Sequence, residues 1–239
     1  MKAASRAYAA VETQNAPCVI ELNALNKIYQ TGDLKVEALK SISLQVHQNE
    51  FVAVMGSSGS GKSTMMNILG CLDKPSGGEY CLNGRNVAAL DDAELASIRN
   101  RDIGFVFQTF HLLPRLSALQ NVALPLRYAD VERSEAAAKA RAMLEQVGLG
   151  DRVNHLPHEL SGGQRQRVAV ARALINNPKI ILADEPTGNL DSKTSLEIMG
   201  LLKKLHEQGQ TIVLITHEAD IAEFAQRLLI MRDGELVDG

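Results

Sequence analysis

The chain has 239 residues, a length that suits one large domain or a core with a sub-domain. Hydrophobic residues make up 45% and charged residues 22%, which is ordinary for a chain that buries a core, and the 18 Gly and 7 Pro residues exclude a collagen-like or low-complexity chain. The 25 Lys and Arg residues against 28 Asp and Glu give a net charge of −3. This balance argues against a general nucleic-acid binder, because such proteins neutralise phosphates with a basic excess.

The cysteine spacing indicates the cellular compartment, and the composition of the N-terminal segment indicates where the folded domain begins. Cys18, Cys71 and Cys81 have no C-x-x-C spacing, which is typical of a reducing compartment. Residues 1–17 are small and polar, and they are predicted to form a flexible lead-in to a single domain over 18–239. They lack the apolar run of a signal peptide, and no stretch reaches the roughly 18 apolar residues of a membrane span. We therefore expect a chain that does not enter a membrane by itself.

The predicted strands are of two kinds. Residues 41–46 and 79–82 alternate between polar and apolar side chains, which indicates half-buried strands. Residues 51–55, 180–183 and 212–215 are apolar throughout. Short continuous apolar runs are typical of central strands in a parallel sheet that is covered on both faces.

Helices are predicted mainly in the second half of the chain. Residues 133–147 are rich in alanine and stop at Gly148, which predicts a surface helix. Residues 162–174 and 192–207 are also predicted to be helical. The Arg-Asp-Gly-Glu sequence at 232–235 lies between two apolar patches and indicates a hairpin. Strands and helices together predict an α/β fold.

The first apolar segment leads directly into a glycine-rich loop, GSSGSGKST. It matches the phosphate-binding pattern G-x-x-x-x-G-K-[ST] between a strand and a helix, where the competing interpretation is a flexible linker. Glycines allow backbone N–H groups to point at phosphate oxygens, and the next helix turns its positive end toward them. Lys62 is expected to bind the β- and γ-phosphates and Ser63 to bind Mg²⁺. The predicted nucleotide-binding residues here are Gly56, Ser57, Ser58, Gly59, Ser60, Gly61, Lys62, Ser63 and Thr64.

Polar residues also follow the other two continuous apolar segments. Asp184 and Glu185 follow one of them, and two adjacent carboxylates there are costly unless a cation or a reacting group uses them. Asp184 is expected to hold Mg²⁺ and Glu185 to polarise the attacking water, although the pair could also cap a helix. His217 follows the third segment, where a structural role is the alternative. Because α/β sheets bind ligands at the carboxyl ends of their strands, a nucleoside-triphosphate hydrolysis site with Lys62, Glu185 and His217 is predicted.

A second Ser-Gly-Gly turn opens the helix predicted at 162–174. A turn of this kind at a helix N-terminus predicts a second anion-binding site. The chain already has one phosphate-binding loop, so a second implies a γ-phosphate held by a neighbouring copy. The residues assigned to this second site are Ser161, Gly162, Gly163 and Gln164.

With these motifs the sequence resembles the ATP-binding cassette (ABC) family over nearly its whole length from about residue 19. Residues 56–64 resemble the Walker A loop, 160–164 the family signature, and 180–185 the Walker B segment. Four single residues match further family motifs and are implied to contact nucleotide: Tyr29 as the adenine-stacking aromatic, Gln108 of the Q-loop, Asp191 of the D-loop and His217 as the switch histidine. Tyr29 is a weaker match that could instead pack in the core. The resemblance implies Mg²⁺ ligands at Ser63, Gln108 and Asp184.

A narrower branch of the family, the LolD/MacB type, resembles this chain at residues 67–75, 98–101, 103–108 and 182–191. The resemblance implies a P-loop NTPase (RecA-like) parallel-sheet core with an antiparallel β sub-domain. It also implies a helical sub-domain, inserted at about 109–165, that carries the signature.

The same resemblance implies how the chain works. It would bind ATP and Mg²⁺ as a homodimer that closes on ATP and opens after hydrolysis. It would sit at the cytoplasmic face of the inner membrane, bound to a permease with a large extracytoplasmic domain, and power lipoprotein release or drug and peptide efflux. The alternatives are a regulatory cassette that controls cell-wall enzymes and a cassette that acts on DNA or ribosomes. The acidic balance argues against a nucleic-acid partner.

Overall fold

Strands of two sheets account for much of the chain, for which a computed structural model describes residues 16–32 and 34–238. The strands are β1 (Cys18–Thr31), β2 (Leu34–His47), β3 (Phe51–Met55), β4 (Gly77–Leu82), β5 (Arg85–Asn86), β6 (Ile103–Phe107), β7 (Ile180–Asp184), β8 (Thr211–Ile215), β9 (Arg227–Arg232) and β10 (Glu235–Asp238). The helices are α1 (Lys62–Leu69), α2 (Asp92–Arg101), α3 (Ala118–Arg127), α4 (Arg133–Gln146), α5 (Gly162–Leu174), α6 (Ser192–Glu207) and α7 (Ala219–Ala222). The predicted lead-in lies outside the described residues up to position 15.

The larger sheet has the order β10-β9-β3-β8-β7-β6. Every neighbouring pair from β9 to β6 is parallel, and β10 returns antiparallel to β9 as the predicted hairpin. The strands β3, β7 and β8 are buried almost throughout, because apolar clusters cover both faces of the sheet. This explains their continuous apolar sequences and confirms the α/β fold.

The smaller sheet is antiparallel, with the order β2-β1-β4-β5. Its longest pair, β1 with β2, contains several register shifts and is far longer than the segment predicted at 41–46. Ala24 and Ser41 have positive φ angles of 46° and 49° there, so the polar–apolar alternation is interrupted. The buried face packs on α1, and the hydroxyl of Tyr80 donates to the carbonyl oxygen of Leu69 at 2.7 Å.

A layer of helices forms beside the sheets. Apolar residues of α3, α4 and α5, including Val122, Leu144 and Val168, make a separate buried cluster. The cluster continues along the chain to Ile175. None of the helices in the described part of the chain combines the length and apolar character needed to span a membrane.

Candidate functional site

A cleft of about 750 Å³ opens at the carboxyl edge of the larger sheet. This is within the usual range of small-molecule sites. The glycine-rich loop after β3 lines it together with Asp184, Glu185 and His217, which lie at or just beyond the ends of the adjacent strands β7 and β8. Parallel strands deliver their final residues to one edge, so the predicted phosphate loop, acidic pair and histidine meet in one place.

The loop between β3 and α1 is shaped by glycines. Gly59 and Gly61 have φ angles of 79° and 107°, a region that favours glycine. A Cβ atom on Gly61 would lie 2.6 Å from the carbonyl oxygen of Ala38, and one on Gly56 would overlap the carbonyl oxygen of Met231. Side chains are therefore excluded where the loop backbone runs against β2 and β9. The remaining face of the loop is open to the cleft.

Lys62 places a positive charge within this loop. Its buried side chain donates from Nζ to the carbonyl oxygens of Gly56 and Ser57, at 2.7 and 2.8 Å. Both partners are neutral acceptors, and a phosphate oxygen would make a stronger, charge-assisted bond. Ser63 and Thr64 follow on the first turn of α1 and line the same cleft. Ser60 belongs to the loop but does not line the cleft, and its hydroxyl is buried with no hydrogen-bond partner among the described residues.

The acidic pair occupies the end of β7. Burial raises the pKa of Asp184, the neighbouring charge of Glu185 raises it further, and Lys62 acts in the opposite direction. A cation in the cleft would favour the ionised carboxylate of Asp184 and reverse this shift.

Glu185 and His217 are in direct contact. Glu185 Oε1 lies 2.7 Å from His217 Nδ1, and the backbone N–H of Glu185 donates to the carbonyl oxygen of Ile215 at 2.8 Å. The φ angle of Glu185 is 44°, an unusual conformation for a residue with a side chain. Two of the three predicted catalytic residues are thus in contact with each other and line the same cleft as the phosphate loop.

Tyr29 lies beside the cleft but does not line it. It pairs with Val36 across β1 and β2, and Val36 does line the cleft. Its hydroxyl donates to Asp73 Oδ2 at 2.8 Å, while Lys27 Nζ donates to Asp73 Oδ1 at 2.6 Å. Burial raises the pKa of Tyr29, and the hydrogen bond to Asp73 raises it further by a smaller amount. The ring is therefore fixed at the margin of the cleft and exposed to solvent.

Several predicted residues lie outside the cleft of their own chain. Gln108 follows β6, where its carbonyl oxygen accepts from Asn189 and its side chain packs on Gly188. Asp191 caps α6 and accepts from the N–H and the hydroxyl of Thr194, at 3.0 and 2.6 Å. The carboxylate of Asp191 is thus used locally in this structure.

The signature turn is also outside the cleft. Ser161 Oγ accepts from the backbone N–H of Gln164 at 3.2 Å, and Gln164 Oε1 accepts from that of Ser161 at 2.9 Å, so the turn is a capping box for α5. A Cβ atom on Gly162 would lie 3.1 Å from Leu190 Cδ2, which places the turn against the segment after β7. The turn therefore does not line this chain's own cleft.

Further cleft residues carry no motif in the sequence. They come from β2 and from the turn between β9 and β10: Val36, Glu37, Ala38, Lys40, Asp233 and Gly234. The N–H of Lys40 donates to the carbonyl oxygen of Gly234 at 2.8 Å, and that of Gly234 donates to Ser60 at 3.0 Å. The Asp-Gly pair predicted the hairpin, but its packing against the phosphate loop depends on the tertiary fold.

Comparison with known protein families agrees with this geometry. Residues 39–188 match the family described as ABC transporter. The chain is 53% identical over 219 residues to the ABC transporter ATP-binding protein YknY of Bacillus subtilis, covering 92% of this chain and 95% of that protein. It is 56% identical over 216 residues to the macrolide export ATP-binding/permease protein MacB of Bdellovibrio bacteriovorus, covering 90% of this chain but 33% of MacB.

The fold matches solved cassettes equally well. The ATP-binding cassette MJ0796, solved as a dimer in a post-hydrolysis state with ADP and Pi bound, aligns with a TM-score of 0.83. The two are 49% identical, and the alignment covers 91% of this chain and 96% of MJ0796. The chain therefore belongs to the ABC transporter family, as an ATPase cassette of the LolD/MacB type.

Proposed function

We propose that this chain is the Mg²⁺-dependent, ATP-hydrolysing subunit of a transporter, active as a homodimer and coupled to a membrane permease. The observation that carries this proposal is the division of the site. The phosphate loop, the acidic pair and His217 share one cleft, whereas the signature turn at 161–164 does not line it. A second copy, arranged head-to-tail about a two-fold axis, would bring its signature turn to this cleft.

Within the cleft, each residue has a distinct task. Lys62 and the loop N–H groups bind the β- and γ-phosphates, and Ser63 with Asp184 would hold Mg²⁺. The metal, when bound, neutralises charge on the phosphate oxygens. Glu185 accepts a hydrogen bond from the attacking water and polarises it, and His217 orients the Glu185 carboxylate. The 2.7 Å contact between His217 and Glu185 supports this division of roles.

Three residues at the margin keep the roles that the resemblance implies. Tyr29 would stack on the adenine, since it pairs with the cleft residue Val36. Gln108 and Asp191 would reach nucleotide or Mg²⁺ in the closed dimer. Both lie on segments that flank the acidic pair, and Asn189 links the two segments through its bond to the carbonyl oxygen of Gln108.

The permease is proposed from the relatives. MacB is named as an ATP-binding and permease protein, and this chain spans a third of its length. The permease would be a membrane protein with a large extracytoplasmic domain. The cassette would act at the cytoplasmic face of the inner membrane, held there by that partner. Cargo would be a lipoprotein, a drug or a peptide, selected by the permease.

Mixing two inactive variants tests the shared site. Lys62→Ala removes the phosphate-binding charge, and Gly162→Asp adds a negative charge to the signature turn. A Cβ atom at position 162 would lie close only to Leu190 Cδ2, at 3.1 Å, which is the end of a side chain. Each variant alone should be inactive. An equimolar mixture should regain up to about a quarter of the parental ATPase rate, because half of the dimers contain one intact site out of two. A mixture no more active than its components would contradict the composite site.

Affinity purification tests the coupling to a permease. The Glu185→Gln variant with ATP is used as bait in detergent-solubilised membranes, and the co-purifying proteins are identified by mass spectrometry. A permease with few membrane helices and a large extracytoplasmic domain is expected. Recovery of a ribosomal or DNA-bound protein instead would contradict the transport function and leave the ATPase intact. The Lys62→Ala variant with ATP is the control for nucleotide-dependent capture.

A further inference from the structure

Gln166 is a fully buried polar side chain in α5, five residues after the capping residue Ser161. Its Nε2 atom donates to the carbonyl oxygen of Pro186 at 2.6 Å and to that of Phe107 at 3.3 Å. Both partners are acceptors, so only the NH₂ end of the amide can face them. The orientation of this amide is therefore determined by its surroundings.

The two carbonyl groups belong to the segments that leave β6 and β7. Phe107 is the last residue of β6 and is paired with Asp184 at the end of β7. Beyond this pair the strands separate, one toward Gln108 and the other toward Glu185 and Pro186. The NH₂ group of Gln166 bonds to one segment with each hydrogen and holds the two together where the sheet ends.

This contact is next to a strained residue. Glu185 has a φ angle of 44°, a conformation that persists only when neighbouring bonds maintain it. Two such bonds are within the backbone: the N–H of Glu185 donates to Ile215, and the N–H of Gly188 donates to the carbonyl oxygen of Glu185 at 3.0 Å. Gln166 provides a third, on the next peptide group.

Core packing alone does not account for a glutamine at this position. Gln166 Oε1 is buried without a hydrogen-bond partner among the described residues, and so is Oγ1 of Thr187, the residue after Pro186. A methionine or leucine would fill a similar volume without an unpaired buried oxygen, whose desolvation opposes folding. The amide is retained at a cost in stability, and its two donated hydrogen bonds are what it contributes.

We infer that Gln166 is a positioning residue for ATP hydrolysis, which holds the Glu185 turn in place and ties it to the signature turn. This rests on the proposed role of Glu185 as the residue that polarises water. The link to the signature is α5 itself, since Gln166 is five positions after Ser161, which corresponds to roughly 7–8 Å along the helix axis. A phosphate that is bound in the cleft of a second copy and contacts the signature turn of the first copy would thereby affect Glu185 of the first copy.

The test uses Gln166→Met, which preserves length and removes the amide. The kcat for ATP should fall about tenfold or more, because small displacements of a catalytic group reduce rates strongly, while KM stays within about twofold. The matched control is Gln210→Met. Gln210 Nε2 likewise donates to a proline carbonyl, that of Pro178, and to the carbonyl of Thr211, but it lies at the opposite edge of the sheet. This control should keep the parental kcat.

A double-mutant cycle with Glu185→Gln separates positioning from general damage. If Gln166 acts through Glu185, adding Gln166→Met to Glu185→Gln should reduce the single-turnover rate no further. Multiplicative losses would overturn the inference and indicate a purely structural role. The failures are distinguishable: parental activity in Glu185→Gln contradicts the proposed function, whereas parental activity in Gln166→Met contradicts only this inference.

Gln166→Glu is the second variant, in case the methionine destabilises the fold. When protonated, its carboxyl group can donate to one of the two carbonyl oxygens, and when ionised to neither. The kcat relative to the parent should therefore decline as the pH rises, when it is measured below the thermal transition found at each pH. A relative kcat that does not vary with pH, or loss of the native thermal transition in both variants, would overturn the inference.

Discussion

Replacing Glu185 with glutamine should abolish most hydrolysis and leave the fold intact. The substitution preserves shape and removes a single negative charge, so the backbone of the turn is not disturbed. General-base catalysis contributes about 10²–10⁴-fold to rates, which corresponds to about 2.7–5.4 kcal/mol at 1.36 kcal/mol per tenfold. We expect kcat to fall within this range and the affinity for ATP to be preserved, because Lys62 and the phosphate loop are unchanged.

The cost in stability should be small. The contact of Glu185 with His217 is solvent-screened, since the imidazole side chain is 60% exposed, so its loss costs at most about 1 kcal/mol. Removing the charge of Glu185 also relieves Asp184, whose pKa that charge helps to raise. For a chain of this size, 1 kcal/mol shifts Tm by roughly 2–4 °C.

Three measurements test the predicted kcat, ATP affinity and Tm of Glu185→Gln: phosphate release at saturating ATP, equilibrium binding of a fluorescent ATP analogue, and thermal unfolding. Glu218→Gln is the matched control, because Glu218 is an exposed carboxylate near His217 that does not line the cleft. Parental turnover by a folded Glu185→Gln protein would refute the assignment of Glu185. A large fall in Tm would refute the claim that the contact with His217 adds little to stability.

Three further predictions concern the surroundings of the cleft and the helical layer. Asp73→Ala removes the partner of the Tyr29 hydroxyl and should raise KM for ATP about 2–10-fold with kcat unchanged, in steady-state assays; an unaltered KM would argue against this support for Tyr29. Leu144→Ala empties a fully buried position and should lower the free energy of unfolding by about 2–5 kcal/mol in guanidinium titrations. Glu132 caps α4, and its hydrogen bonds with Ser134 lower its pKa. Its contribution to the stability of the fold is therefore present above the ordinary pKa of a glutamate and is lost as the pH falls through the lowered pKa of the folded protein. The Tm difference between the parent and Glu132→Gln should therefore be largest at neutral pH and should disappear at acid pH. A Tm difference that does not depend on pH would contradict the link between the Glu132 carboxylate and the stability of α4.

The sequence predicted the elements whose signals are local. The strand Phe51–Met55 and the helices Gly162–Leu174 and Ser192–Glu207 have the predicted bounds, because continuous burial and capping by Ser161 and Asp191 leave direct traces. The helix Ala118–Arg127 was not predicted, since it contains a proline and its burial depends on α4 and α5. Such tertiary packing has no signature in a short window of sequence.

The same distinction holds for the site. The phosphate loop, the acidic pair and His217 each end a strand, and parallel strands bring them together. No such rule predicts that residues of β2 line the cleft, because their position there depends on how the smaller sheet packs against the larger one. Gln166 likewise shows no motif of its own, and its importance becomes apparent only when the partners of its amide are known.

The turn between β9 and β10 offers a means of observing the phosphate loop. The N–H of Gly234 is bonded to the carbonyl oxygen of Ser60, and the carbonyl of Gly234 accepts from Lys40. The hydrogen of this amide can exchange with deuterated solvent only when the loop and the turn separate. Its exchange rate, followed with and without nucleotide, would thus report how often the loop opens, with no label attached to the site.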